Sequence, residues 1–237
     1  KEEFEEALPF YESLVEQELS SYTEKALVRI MTLLKKEALS KEALPYLENL
    51  YEIASFEGNK RFATLNLMQG YFAANKFEKS LLLSEEVLRF NRLEEGLKWD
   101  ALKFRARSAL KLNDTLTASS AYESLENSSQ KNIAAEALYF KAERLHSFKK
   151  YKDSNLIIER ISVSSGQLGD WNAKALLLLA KNYYELDDPF QASFVLESII
   201  ENFIVFPFII EEAESLLATY RAATAKENRS INQNQND

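Results

Sequence analysis

Cysteine is absent from the sequence, and His146 is its only histidine. Without cysteine the chain can form no disulfide and offers no thiolate nucleophile. A metal centre or a general base needs several suitable groups close together, and Glu143, one helical turn from His146, is an ordinary neighbour on a charged helix. The sequence therefore predicts a non-enzymatic protein with no cofactor or metal site, in which His146 has a structural or surface role.

Glycine and proline are also scarce, with five and four residues in a chain of 237. Folds rich in β-structure need many tight turns, and a phosphate-binding loop needs clustered glycines. No apolar run approaches the roughly 18–20 residues of a membrane span. The formal net charge of −8 disfavours a nucleic-acid partner, because phosphate binding requires a basic surface. These absences favour a helical fold.

The sequence does contain an internal repeat. EALPFYESLVE at Glu6–Glu16 returns as EALPYLENLYE at Glu42–Glu52, with seven of eleven positions identical. Weaker copies follow, and the small residues that open all six lie at positions 7, 43, 80, 118, 154 and 192. Intervals of 36 to 38 residues are typical of stacked helical hairpins.

Each unit contains two predicted helices, named A and B in chain order. The B helix carries the small residue that opens each copy, followed by larger residues four and seven positions later on the same stripe. Twelve positions earlier the A helix has its own small or flexible residue, namely Met31, Met68, Ala106, Ala142 and Ala180. Small residues at both places let two helix axes approach to about 8–10 Å. Short polar turns join A to B at Asn75-Lys76, Asn113-Asp114, Lys149-Lys150 and Asp187-Asp188.

This pattern, with an aromatic residue near the turn (Phe77, Tyr151, Phe190), resembles the tetratricopeptide repeat (TPR), whose usual period is about 34 residues. The resemblance implies an all-α fold, an α-α superhelix of helical hairpins. We expect a trailing helix of an upstream repeat at 1–22, five TPR-like repeats at 23–205, a C-terminal capping helix at 206–226 and a disordered polar tail at 227–237. Because the chain opens inside a repeat, we also expect it to be part of a longer or processed protein.

The segment WNAKALLLLAKNYYELDDPFQASFVLESIIENF, Trp171–Phe203, carries a closer resemblance. It looks like the last repeat of the long periplasmic TPR proteins of Bacteroidetes-type Gram-negative bacteria, in which the Trp-x-Ala-Lys-Ala opening and the Phe-Gln-Ala turn recur. The likeness implies a periplasmic or outer-membrane-associated protein that acts in envelope assembly or secretion, although a cytoplasmic location stays open. It supplies no catalytic residue.

The resemblance also implies that a protein or peptide partner binds in a concave groove lined by the A helices. Groove positions lie six and three residues before the A-helix crossing residue, and one and four after it. The expected contacts are Lys25, Val28, Lys35, Phe62, Leu65, Gln69, Phe72, Lys103, Arg107, Tyr139, Glu143, His146, Lys174, Lys181 and Tyr184. The same offsets give Thr32, Asp100, Leu110, Glu136 and Leu177.

The apolar segment FIVFPFII, Phe203–Ile210, departs from the polar loop that such proteins have before their cap. It is too short to cross a bilayer. Two interpretations stay open at this point. Phe203, Phe206 and Phe208 either seal the end of the fifth repeat or form an exposed apolar contact for a partner or a second copy.

The predicted function is a scaffold or adaptor that binds a protein or peptide, with no cofactor, no nucleic acid and no membrane span. The oligomeric state stays open. Two alternatives remain. A peptide-sensing regulatory module would change its curvature on binding, and a structural spacer within a longer chain would bind no partner.

Overall fold

The structure is a computed structural model that describes residues 2–16, 22–34, 43–164 and 169–234. These residues form twelve α-helices and contain no strand. The helices are α1 (Glu2–Glu16), α2 (Thr23–Leu34), α3 (Ala43–Ile53), α4 (Glu57–Ala73), α5 (Phe77–Leu88), α6 (Glu95–Lys111), α7 (Thr115–Leu125), α8 (Lys131–Ser147), α9 (Tyr151–Ser164), α10 (Asp170–Glu185), α11 (Pro189–Asn202) and α12 (Pro207–Asn234). The all-α fold class expected from the sequence is confirmed.

The chain divides into two compact units, unit 1 at Lys1–Ala121 and unit 2 at Tyr122–Asp237. Within unit 1 consecutive helices from α1 to α6 pack on one another, and within unit 2 consecutive helices from α8 to α12 do the same. Each helix therefore relies on its sequence neighbours, as in a stack of hairpins. The A helices are α2, α4, α6, α8 and α10, and the B helices are α1, α3, α5, α7, α9 and α11. The boundaries proposed for the individual repeats remain predictions.

Four A-to-B turns share one backbone geometry. Their first residues have a left-handed φ of 58° or 59°, at Asn75, Asn113, Lys149 and Asp187. The amide of the next residue donates to a carbonyl five positions back, as Lys76 does to Tyr71 at 2.8 Å. The turns at Asp114, Lys150 and Asp188 repeat this bond, which defines a Schellman ending of the A helix. Asp114 and Asp188 also accept a backbone N–H at 3.0 Å and so cap the following B helix.

The small residues stand where the helices of a hairpin cross. Ser80 donates its hydroxyl to the Met68 carbonyl at 2.8 Å, and Ser154 donates to Ala142 at 2.9 Å. Each bond joins residues twelve positions apart, which is the spacing in the sequence between the small residue of an A helix and that of the following B helix. At Gly70 a Cβ atom would lie 2.7 Å from Leu44 Cδ2, so a larger residue there would require the Leu44 side chain to shift. Close helix approach thus depends on these positions.

The A helices form the inner layer of each unit. The backbones of α4 and α6 approach each other in unit 1, and in unit 2 α10 lies between α8 and α12 in the same way. Among the described residues the backbones of successive B helices approach each other marginally at most. Helices that lie closer together occupy the inner side of a curved array. The A-helix face of each unit is therefore its inner face.

The segment Phe203–Ile210 divides between the core and the surface. Phe203 and Ile209 are buried, and with the half-buried Phe206 they pack on the core formed by α10, α11 and α12. Ile204, Val205 and Phe208 are instead 74%, 70% and 84% exposed. Phe203 and Phe206 therefore help to seal the core at the end of the fifth repeat, whereas Phe208 lies at the surface, and a contact of Phe208 with a partner or a second copy remains a prediction.

The last helix extends beyond its expected end. α12 continues to Asn234, whereas the sequence analysis expected a disordered polar tail from residue 227. No glycine or proline follows Pro207 within this helix, and extending a formed helix adds one backbone hydrogen bond per residue. Ala, Glu, Lys and Arg in the same stretch are good helix formers.

Candidate protein-binding face

In unit 1 the apolar groove positions contribute to the core. Phe62 and Leu65 pack on the buried cluster that includes Met68, and Val28 packs on a second cluster with Leu27. The Phe72 ring makes edge contacts with Phe77 and Phe104, each at 5.4 Å between centroids. All four predicted groove residues are half-buried. Unit 1 therefore uses these side chains mainly to hold its own helices together.

The polar groove positions of unit 1 are mostly engaged locally. Lys103 binds Asp100 at 2.6 Å, and its ammonium also lies 5.0 Å from the Phe104 ring centroid. Lys25 is exposed beside the Tyr22 ring, at 5.7 Å. Gln69, Arg107 and Leu110 are half-buried, and Thr32 donates to the Val28 carbonyl at 2.7 Å. Lys35 lies outside the described residues.

In unit 2 an aromatic pair marks the inner face. Tyr139 of α8 contacts Trp171 of α10, with 5.5 Å between ring centroids. The Lys174 ammonium lies 4.3 Å from the Trp171 ring centroid and 2.7 Å from the Asp170 carboxylate. This geometry combines a cation–π contact with an ion pair. One helical turn of α10 thus carries an aromatic ring, a cation and an anion side by side.

Charged side chains continue this face toward α12. Lys181 of α10 binds Glu212 of α12 at 2.7 Å, so an ion pair links two helices of the inner layer. Glu143 of α8 is exposed and has no ion-pair partner among the residues that the structure describes. The unit-2 A face is defined here as Tyr139, Glu143, Asp170, Trp171, Lys174, Lys181 and Glu212.

Burial and three carboxylates of this face act on the pKa of the Tyr139 hydroxyl. Burial raises the pKa of Tyr139 to about 12, and the negative charges of Glu143, Glu212 and Asp170 add to the rise. These carboxylates come from three successive helices of the inner layer, α8, α12 and α10. The phenol therefore stays protonated throughout the physiological pH range and lies in a negative local field.

His146, which the sequence analysis also placed in the groove, takes part in a hydrogen-bond network inside unit 2. Its Nδ1 lies 2.6 Å from Asn182 Oδ1. The Asn182 amide nitrogen donates to Ser154 Oγ and Asn155 Oδ1, so Asn182 Oδ1 is the acceptor and His146 Nδ1–H donates. Ser154 in turn donates to the Ala142 carbonyl. This directed network joins α8, α9 and α10, and Asn182 at its centre is fully buried.

Two other groove positions are buried in the structure, and a third pairs with the next helix. Glu136 and Leu177 are buried, at 5% and 6% exposure, and do not line an open surface. The Tyr122 hydroxyl donates to Glu136 at 2.9 Å, and Leu177 belongs to the α10–α12 core. Tyr184 stacks on Tyr220 of α12 at 3.7 Å between centroids. Fixed offsets from the crossing residue ignore such side-chain pairing with the next helix.

Sequence reasoning missed three members of this face, Asp170, Trp171 and Glu212. Asp170 and Trp171 begin α10, one turn before the first groove offset. The repeat could have predicted Glu212. One further period of 38 residues after Ala180 gives Ala218 as the next crossing residue, and the groove position six residues before it is Glu212. Treating the capping helix as a sixth A helix would have found it.

A second surface lies between α11 and α12. A cleft of about 600 Å³ is lined by Phe190, Phe194, Glu197 and Arg221, among others. Phe190 and Phe194 are 76% and 61% exposed, and an ion pair between Arg221 and Glu197 spans the cleft. The cleft therefore has apolar walls, and the charges of Arg221 and Glu197 neutralise each other.

The described residues contain no cluster of three or more His, Asp or Glu side chains able to hold a metal ion. Of the helices in the described part of the chain, none has the length and apolar character that crossing a bilayer requires.

In period, hairpin geometry and small crossing residues, the described part of the chain resembles TPR arrays. The chain is TPR-like. Neither a protein-family model nor a curated protein matches it. It is similar to a tetratricopeptide repeat protein from Parabacteroides merdae ATCC 43184 at 12% sequence identity and a TM-score of 0.44, over 89% of this chain and 92% of that chain.

Proposed function

We propose that this TPR-like protein is a non-enzymatic scaffold that binds a protein or peptide segment across the unit-2 A face. The observation that carries the proposal is the inner face of α8, α10 and α12, where aromatic rings and charges of both signs lie at the surface. Peptide-binding surfaces combine aromatic anchors with charges that fix register.

The hairpin stack favours binding by a pre-organised surface. The His146–Asn182–Ser154 network and the Tyr184–Tyr220 stack hold the helices that carry the face. A receptor whose side chains are already positioned loses less conformational entropy when its partner binds. The acidic net charge of −8 favours a partner with a basic surface and would increase the rate of encounter.

We further propose a role in envelope assembly or secretion, at a periplasmic or outer-membrane-associated location. The support for this part is the resemblance of Trp171–Phe203 to the last repeat of periplasmic TPR proteins. Fractionation of the native host, with the protein followed by antibody, tests it. Recovery in the cytoplasmic fraction alone would contradict this location.

The binding proposal is tested by capturing partners with the full chain and with a charge-reversed variant, Glu143→Lys with Lys181→Glu. A matched control, Lys152→Glu with Glu159→Lys, makes the same exchange at exposed positions of α9. Circular dichroism checks that both variants fold. We expect a partner retained by the wild type and the control to be lost by the A-face variant.

Two results would contradict the proposal. Retention of the partner by the A-face variant would place the binding surface elsewhere, with the exposed Ile204, Val205 and Phe208 as the next candidate. Failure of the wild type to retain any partner would instead favour the spacer alternative. A peptide-sensing module would add a compaction on binding, which small-angle scattering would detect.

A further inference from the structure

The unit-2 A face already holds one of the protein's own cations against an aromatic ring. Lys174 lies over Trp171 at 4.3 Å, and Trp171 contacts Tyr139. A cation over a tryptophan face gains electrostatic stabilisation from the ring, and the gain increases where water is partly excluded. Trp171 and Tyr139 are both half-buried. The chemistry of this surface is therefore suited to cations.

The charges of the face are unequal in number. Lys174 is paired with Asp170 and Lys181 with Glu212, each at 2.7 Å. The carboxylate of Glu143 is the third negative charge that acts on the Tyr139 hydroxyl, and no ion pair neutralises it among the described residues. One negative charge thus remains beside an aromatic ring, where a cation from outside the chain would complete the balance.

A guanidinium group fits this arrangement better than an ammonium group. It is planar, stacks on aromatic rings and donates two parallel hydrogen bonds to one carboxylate. It is also more weakly hydrated, so it loses less hydration when it enters a half-buried surface.

We propose that the unit-2 A face binds an arginine side chain of the partner, with the guanidinium beside the Tyr139 ring and hydrogen-bonded to the Glu143 carboxylate. The inference rests on the proposed function and names the chemistry of the partner. It also predicts that Glu143, and not the paired Asp170 or Glu212, is the acidic residue that selects the partner.

The test uses two short Gly-Ser-Ala peptides that differ at one central position, arginine in one and glutamine in the other. Each is titrated into the wild-type chain while the Trp171 indole N–H is followed by nuclear magnetic resonance. Trp171→Phe assigns that signal, and the buried Trp99 of unit 1 is the internal reference. We expect the arginine peptide to shift the Trp171 signal saturably and to bind at least about tenfold more tightly than the glutamine peptide.

Glu143→Gln separates the named contact from general attraction to an acidic protein. It should weaken the arginine peptide by about tenfold or more, since a charge-assisted hydrogen bond is lost. Glu159→Gln removes the same charge from an exposed position on α9 and should leave the affinity unchanged. Unchanged backbone spectra show that both variants fold.

Equal binding of the two peptides, or equal binding to wild type and Glu143→Gln, would overturn the arginine assignment and leave peptide binding in place. No saturable shift with either peptide would also overturn it. In that case partner capture by the charge-reversed variant decides separately whether the A face binds protein at all. An A-face variant that captures the partner as well as wild type would refute the proposed function too.

Discussion

The inner faces of the two units use equivalent A-helix positions in different ways. In unit 1 the positions at Phe62, Leu65 and Phe72 hold apolar side chains that pack on the unit's own core. In unit 2 the α10 position that corresponds to Phe62 holds Lys174, and the position that corresponds to Gln69 holds Lys181, and the charged ends of both lie at the surface. The same repeat geometry therefore produces a closed face in one unit and a candidate binding face in the other. Position within a repeat determines where a side chain lies, while its chemistry determines what the surface can bind.

The largest effect should come from the core behind the unit-2 face. Phe203→Ala removes a buried ring that packs on α10 and α12, so the free energy of unfolding should fall by about 3–5 kcal/mol. Phe208→Ala, five residues further along the same segment, removes an 84% exposed ring and should change it by less than about 0.5 kcal/mol. Urea denaturation followed by circular dichroism measures both. Equal losses would contradict the division of this segment between core and surface.

The second prediction compares the two faces directly. Phe72→Ala in unit 1 removes the ring that touches Phe77 and Phe104, and should lower the free energy of unfolding by about 2–4 kcal/mol. Lys174→Ala in unit 2 breaks a partly exposed ion pair and should cost within about 0.5 kcal/mol. The same denaturation experiment measures the difference. A costly Lys174→Ala would mean that the unit-2 face, like that of unit 1, is mainly structural.

The third prediction concerns Asn182, a buried residue of α10 whose hydrogen bonds join the helices behind the unit-2 A face. Asn182→Ala deletes the centre of the network that links His146, Ser154 and Asn155, and leaves the His146 N–H without its acceptor. Loss of stability of about 2 kcal/mol is expected from the unsatisfied polar groups. Ser162→Ala, which removes a single hydrogen bond between α9 and α10, is the milder control. If Asn182→Ala is no more harmful than Ser162→Ala, His146 is free to belong to the binding face.

The fourth and smallest effect is a pH dependence located in unit 1. Burial works to raise the pKa of Glu24, but hydrogen bonds from Asn59, Ser55 and Phe56 at the start of α4 lower it below its ordinary value of 4.5. The stabilisation is therefore complete above pH 4.5 and is lost as the pH falls through the lowered folded pKa.

Glu24→Gln should accordingly be less stable than wild type by about 1 kcal/mol at pH 7. The difference should shrink as the pH falls below 4.5. Thermal melts at several pH values give this difference. A gap between the two proteins that stays constant on acidification would show that the Glu24 charge is not what stabilises the start of α4.

Much of the fold could be predicted because the repeat leaves marks at fixed spacing. The Ser80 and Ser154 hydroxyl bonds join the two crossing columns that the sequence shows twelve positions apart. The Schellman turns also fall on the polar dipeptides. Helix ends without such marks were harder, and α12 runs to Asn234 through a polar sequence.

The candidate site was less predictable, because its members are defined by pairing across helices. The fixed groove offsets included Glu136 and Leu177, which are buried. Glu136 accepts a hydrogen bond from Tyr122, and Leu177 lies in the α10–α12 core. They omitted Trp171, which joins the face through Tyr139 and Lys174. Such pairings depend on side-chain length and direction, and neither follows from the period of a repeat.

The most direct test of the contrast between the faces is site-specific photo-crosslinking in the presence of the partner. One crosslinker is placed at Lys181 on the unit-2 A face, one at the equivalent Gln69 in unit 1 and one at Glu159 on the B-helix side of unit 2. The account predicts a crosslinked complex from position 181 and little or none from the other two. Crosslinking from position 69 or 159, with none from 181, would contradict it.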